Sequence, residues 1–216
     1  MLIIKSRRNN HDTNFTVSFG IDEIVPSDCV KVLGVTIDSH LTWEGHISTI
    51  VARCNCILVS LARLRHKLPK CTRRLLIQAL VFPHITYCLT VWGSCTAAQR
   101  NRVQKLIHFG ARIVAGLSRR DHVTPVMHEL GWKTVDQFIC DRDIAAMHRV
   151  LDESSPTNIL RQQIVLPSDV SLRQTRAAED GHLQLPRVRT EFARRAFMYR
   201  AVAAWNSCIS TTGRRS

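Results

Sequence analysis

Hydrophobic and polar positions follow two rhythms along this chain. In the first forty residues the period is two. Phe15, Val17 and Phe19 alternate with polar neighbours, which predicts a strand. Met1–Ile4 reads as a short buried strand and Lys5–His11 as a polar loop. Gly20–Glu23 reads as a turn, with Ile24–Val25 a short return that Pro26 ends. Val30–Ile37 predicts one β-branched strand with Gly34 inside it, and an internal glycine of that kind marks a bulge or a close backbone approach. Asp38-Ser39-His40 turns the chain, and Thr42 is placed to cap the first helix.

From there the rhythm changes to three and four. Ile47, Ile50, Val51, Cys54, Ile57, Leu58, Leu61, Leu64 and Leu68 make one apolar face of a long helix. A second apolar run, Leu75–Val81, ends at Pro83. A third helix has both ends marked: Thr96 with Gln99 fits a capping box, and Gly116 fits the stop. Thr124, as cap, and Pro125 begin a short helix that Gly131-Trp132 closes. Thr134 with Gln137 opens another, which Phe138, Ile139, Ile144, Met147 and Leu151 carry to about Glu153; its acids Asp136, Asp141 and Asp143 read as a solvated face. Ser154 to Asp180 is loop-rich, the best linker candidate. His182–Val188 predicts a short strand broken by Pro186. Phe192–Ile209 predicts a final helix with Phe197, Ala201, Ala204, Trp205 and Ile209 on its apolar side and Arg194, Arg195 and Arg200 on its basic side.

These elements predict an α+β, mostly α chain: a small β segment over 1–42, a three-helix bundle over 43–120, a helical extension over 121–155, and a loop-rich linker with a last helix over 156–216. The bundle faces carry an unusual charge. Leu41 to Arg120 holds Arg53, Arg63, Arg65, Lys67, Lys70, Arg73, Arg74, Arg100, Arg102, Lys105, Arg112, Arg119 and Arg120 against a single acid, Glu44. That is a net +12 out of +13 for the whole protein. Concentrating one sign costs self-repulsion, and an ordinary solvated surface intersperses both. A polyanion is the expected partner, with nucleic acid first. Arg53, Arg63, Arg65, Lys67, Lys70, Arg73, Arg74, Arg100, Lys105, Arg112, Arg119 and Arg120 are the candidate contacts.

Other chemistry is sparse. The eight cysteines form no Cys-x-x-Cys pair, several fall on apolar helix faces, and they read as reduced, mostly buried thiols of an intracellular protein. Neither they nor the histidines show zinc spacing. Apolar runs fall short of the roughly 18 to 20 residues a membrane span needs. Ser94 lies in Trp-Gly-Ser-Cys rather than Gly-x-Ser-x-Gly, and nothing fixes it, Cys95 or His84 as a nucleophile and base. Asp22, Glu23, Asp28 and Asp38 read as turn and capping acids. Trp43 and Trp92 read as core, with base stacking the alternative.

Several short motifs, in order, resemble the end of the palm and the thumb of non-LTR (LINE-type, Jockey-like) retrotransposon reverse transcriptases. They are Val30-Lys31-Val32-Leu33-Gly34-Val35-Thr36-Ile37-Asp38 with Leu41-Thr42-Trp43 and His46-Ile47, then Tyr87-Cys88 with Trp92-Gly93, then Ala111-Arg112-Ile113-Val114-Ala115-Gly116. Arg119-Arg120-Asp121-His122-Val123-Thr124-Pro125, Glu129-Leu130-Gly131-Trp132, Leu185-Pro186-Arg187-Val188-Arg189-Thr190 and Ala204-Trp205-Asn206-Ser207 continue the likeness. It implies that Val32, Leu33, Gly34 and Val35 are similar to a primer grip, that the bundle is a thumb, and that the partner is an RNA/DNA or DNA duplex, beside the fingers and the rest of the palm.

The resemblance also implies metal-binding carboxylates on a catalytic Tyr/Phe-x-Asp-Asp turn, where Mg²⁺ serves the complete polymerase. No adjacent pair of aspartates occurs in this chain. The expectation is therefore a non-catalytic fragment, with no cofactor of its own and no membrane, that holds duplex through phosphates. A host-retained nucleic-acid-binding module and a helical domain that meets an acidic protein are the alternatives.

Overall fold

The computed structural model describes residues 1–4, 16–152, 154–164 and 181–212. It is an α+β, mostly α chain. Its residues fall into two compact units: 1–88 with 95–132, and 89–94 with 133–216. The 121–155 segment is thus divided at Trp132, and the short 89–94 stretch belongs to the second unit.

In the first unit the β segment is two hairpins. β1 (Val17–Phe19) pairs antiparallel with β2 (Asp22–Ile24), and β3 (Cys29–Val32) pairs with β4 (Val35–Asp38). The single strand expected over Val30–Ile37 is corrected here. Val32 faces Val35, and Leu33-Gly34 is a two-residue turn with φ of 47° and 85°. Positive φ at both centres is what a type I′ hairpin turn demands, so Gly34 serves a reversal and not a bulge. Met1–Ile4 is no strand; only Leu2 bridges Ser27. The strand expected to start at Phe15 begins at Val17 among the described residues, and Asp22 and Glu23, expected in a turn, lie in β2.

The chain enters α1 (Glu44–Leu64) through a joint fixed by Asp38. Its carboxylate accepts from the backbone N–H of His40 (3.1 Å), Thr42 (2.9 Å) and Trp43 (2.8 Å). Burial alone would raise this carboxyl; the three donors outweigh it and hold it below the ordinary carboxylate range. The residue at the helix entrance is Trp43, left-handed at φ 64°, rather than the expected Thr42 cap. α1 ends at Leu64, one turn before the expected Leu68. By length and composition α1 alone among the described helices could cross a membrane, which corrects the expectation that no run is long enough. Here Ile47, Cys54 and Leu58 lie fully buried in the unit's core. Burial pushes the Cys54 thiol up to about 11.

α2 (Lys70–Leu80) begins five residues before the expected run and is followed by α3 (Phe82–Thr86), which contains Pro83. α5 (Ala97–Ala115) has the expected capping box, and Gly116 closes it at φ 73°. Glu44, at the start of α1, bonds Gln99 and Arg102, near the start of α5. Further along, a Cβ on Gly110 would lie 3.6 Å from Leu58 and 3.1 Å from Ile77. α1 and α5 therefore run in the same direction. α2 runs against them, with Arg73 beside Ile113 and Val81 beside Cys54. Core aromatics include Phe82 and Trp132, which meet edge to face at 4.9 Å. α6 (Thr124–Leu130) starts after Val123, with Thr124 inside the helix rather than capping it.

In the second unit α4 (Leu89–Trp92) and α7 (Val135–Leu151) pack together, and Thr134 makes the expected capping box. A 3-10 helix, Pro156–Gln163, comes next along the chain; the rest of the expected linker, 165–180, lies outside the described residues. Residues 182–189 form no strand among the described residues, correcting the short strand expected there. The final helix is two: α8 (Glu191–Arg195) and α9 (Phe197–Thr212), separated at Ala196, whose ψ of 148° breaks the helix.

Two expected solvent groups are instead the buried centre of this unit. Asp143 is 1% exposed, and Arg200 Nε and Nη2 donate to its two carboxylate oxygens at 3.0 and 3.1 Å. Arg200 also donates to the carbonyls of Arg195 and Thr90. Burial pushes the Asp143 carboxyl up while the guanidinium pulls it down. Gly93 makes room: a Cβ there would meet the Leu89 carbonyl oxygen at 2.5 Å and Arg200 Nη2 at 3.4 Å.

Candidate nucleic-acid interface

The buried face of α1 determines what its opposite face can show. With Ile47, Cys54, Leu58 and Leu61 turned inward, spacings of three and four bring Thr49, Arg53, Cys56, Ser60 and Arg63 onto one outward line, and Lys67 follows in the turn after the helix. All six are exposed. Three are cations, the others are small or hydroxylated, and none is an acid. Arg53, Arg63 and Lys67 make no side-chain hydrogen bond or ion pair among the described residues. The helical part of the line, Thr49 to Arg63, is about 21 Å long at 1.5 Å per residue.

A second group gathers at the end of the unit where α1, α5 and α6 finish and α2 begins. Here the cations are clasps as much as a surface. Arg73 donates to the Ile113 carbonyl at 2.6 Å and Arg74 to the Leu130 carbonyl at 3.1 Å. Both carbonyls belong to last turns of helices, whose orphaned acceptors and partial negative charge favour a guanidinium. Lys70 pairs with Glu129 at 2.6 Å, and Arg112 donates to the Asp121 carbonyl. Arg65 donates to His66, and its side chain is half-buried.

The twelve predicted contacts thus divide. Arg53 and Arg63 stand on the α1 line, and Lys67 in the turn that follows it. Lys105 is exposed on α5, and Arg119 and Arg120 are exposed in the turn after it. Arg65, Lys70, Arg73, Arg74, Arg100 and Arg112 already hold protein groups, Arg100 through the Cys95 carbonyl. Arg102 pairs with Glu44, whose carboxyl is lowered by Gln99 first and Arg102 second. The sequence showed the helical spacing of these residues but not which carbonyls lay within reach.

The primer-grip-like residues form the β3–β4 hairpin end. Leu33 is 84% exposed, Val32 is exposed and Val35 is buried. Tyr87, also exposed, donates its hydroxyl to the Leu33 carbonyl, and the space beside Gly34 is bounded by its ring. Periodicity marks neither Tyr87 for this contact nor Asp38 for the joint; a turn aspartate just ahead of a helix is the signal for the latter.

Other candidates are accounted for by packing. Trp43 and Trp92 are buried. Cys95 is buried, and Ser94 donates to the Val91 carbonyl. No group of three or more His, Cys, Asp or Glu that could hold a metal occurs among the described residues. The cysteines are free as expected, but only Cys54 and Cys95 are buried; Cys29, Cys56, Cys71 and Cys208 are exposed, because they fall on outward positions of their elements. No family model, curated protein or solved structure matches the chain.

Proposed function

We propose that the first unit binds nucleic-acid duplex through phosphates, and that the chain is the palm-end and thumb portion of a non-LTR reverse transcriptase. The observation that carries this reading is the α1 line: two unpaired cations, small intervening side chains and no acid on one helix face, with a third unpaired cation, Lys67, in the turn that follows. Phosphate contacts of that kind position without reading sequence. The hairpin end held by Tyr87 and the order of the motifs support the same reading. We assign no polymerase chemistry to this chain, since the resemblance demands an aspartate pair the sequence lacks. Template-directed nucleotide incorporation by the purified chain with Mg²⁺ or Mn²⁺ would overturn that assignment.

Binding of a 20-base-pair duplex across a salt series tests the main reading. Each phosphate neutralised on B-form DNA contributes about −0.9 to the log–log slope. Replacing Arg53, Arg63 and Lys67 together with Gln should flatten the slope by about 2 to 3 units. Unchanged affinity and slope would leave the face merely solvated.

One observation favours an acidic protein partner as a second reading. A cleft of about 520 Å³ between α2 and α6 is lined by Lys70, with its partner Glu129, and by Arg74 and Leu75, and Leu75 is 65% exposed. Leu75→Asp should abolish capture of an acidic, leucine-bearing peptide while leaving duplex binding intact.

A further inference from the structure

We propose a second nucleic-acid site, for single strands, on the second unit, formed by Arg187, Arg189, Phe192 and Arg194. It draws on none of the residues that support duplex binding by the first unit.

The segment leading into it is held in place. Asn206 brackets Leu183, accepting from its N–H and donating to its carbonyl, both at 2.9 Å. Trp205 Nε1 donates to the Gly181 carbonyl at 3.2 Å, His182 meets Ser210 at 3.1 Å, and Leu183 is buried. From that anchor the chain runs to Arg189 in neither helix nor strand. Gln184, Pro186 and Val188 are half-buried, and Leu185, Arg187 and Arg189, alternating with them, are exposed. Thr190 then caps α8, accepting from Ala193 N–H at 3.1 Å, which fixes where Phe192 and Arg194 emerge.

The exposed groups have one chemistry. Phe192 is 53% exposed. Arg187, Arg189 and Arg194 are exposed and unpaired among the described residues. Glu191 is the only acid between 181 and 212, and every Lys/Arg cation there is arginine. Guanidinium groups fork onto phosphate and stack on bases, which ammonium groups do not do. An aromatic ring among cations that track a backbone is how proteins hold unpaired strands irrespective of sequence. A duplex hides its base faces from such a ring. A membrane surface calls for a broad apolar helix face, and here only Leu185 and Phe192 are available.

The test uses the full chain and a labelled 20-mer of oligothymidylate, read by fluorescence anisotropy across a salt series. Arg187→Gln with Arg189→Gln should weaken binding about tenfold and flatten the slope by about 1.4, at roughly −0.7 per phosphate for single strands. Phe192→Ala should weaken binding about 5- to 150-fold at unchanged slope, as loss of one stacked base does. Phe192→Leu, which keeps an apolar group, should lose as much as Phe192→Ala. Replacing Arg53, Arg63 and Lys67 should weaken duplex binding and leave oligothymidylate binding intact. Wild-type affinity in both Phe192 variants overturns the proposal. So does an oligothymidylate loss seen only in the α1 variant. Vesicles containing phosphatidylserine form the last arm: loss of vesicle binding alone would assign the patch to a membrane and overturn the strand site.

Discussion

The Tyr87 hydroxyl donates to the Leu33 carbonyl at 2.7 Å, across 54 residues of sequence. The bond ties the end of the β3–β4 hairpin to the turn after α3, and a left-handed residue lies at one anchor and beside the other: Leu33 and Cys88, the neighbour of Tyr87, each have φ of 47°. A left-handed non-glycine residue costs about 1–2 kcal/mol, so the conformation persists because surrounding contacts over-determine it. Tyr87→Phe should cost about 0.5–1.5 kcal/mol. Amide exchange should quicken in 29–38 and stay slow in α5; equal changes in both would mean the bond does not act locally.

Asp38 gives the hairpin a pH dependence of definite sign. Its folded pKa is depressed, so its contribution is fully present above the unfolded value near 4 and is lost as pH falls through the lower folded value. Unfolding of the first unit should become easier below about pH 4 in wild type, and Asp38→Asn should remove that part of the acid dependence. At pH 7 the variant should cost about 0.5–2 kcal/mol, the range for losing a backbone-capping carboxylate. Chemical denaturation at pH 3 and pH 7 measures both.

Arg73 and Lys67 should respond in opposite ways. Arg73→Gln removes a donor to a helix-terminal carbonyl and should cost roughly 1–3 kcal/mol of stability with little effect on the salt slope. Lys67→Gln should leave stability within about 0.5 kcal/mol and lower the salt dependence. A reversal of that pattern would exchange their roles.

The second unit should be most sensitive at its buried ion pair. Arg200→Met leaves the Asp143 carboxylate without its partner and should cost about 3–5 kcal/mol. Gly93→Ala drives a Cβ against backbone as well as against Arg200 and should cost about 1–3 kcal/mol. Thermal unfolding of the full chain should show both losses, with Arg194→Gln near neutral as the control.

What was legible in the sequence was local. The capping boxes at Thr96 and Thr134 were readable because side chain and amide lie three residues apart, and the α1 face was readable because its period is set by the helix itself. Leu33-Gly34 was misread since a leucine is an uncommon first residue for such a turn, and the flanking β-branched residues fit one strand as well as two. Thr42 lost the cap because Asp38, four residues earlier, holds the Thr42 and Trp43 amides and the helix begins one residue later than expected, at a left-handed Trp43. Asp143 and Arg200 are 57 residues apart, and no periodicity relates them, so each looked like solvent-facing charge. The clasps at Arg73 and Arg74 were hidden in the same way.

Cys56 sits in the middle of the α1 line, four residues before Ser60 and three after Arg53, with its thiol in solvent. The molecule therefore carries its own footprinting reagent target on the face in question. Whatever lies along that helix must slow alkylation of this thiol, while Cys29 and Cys208, on other elements, supply internal clocks for the reaction. Occupancy of the face becomes measurable by mass spectrometry on unaltered protein, without knowing in advance what occupies it.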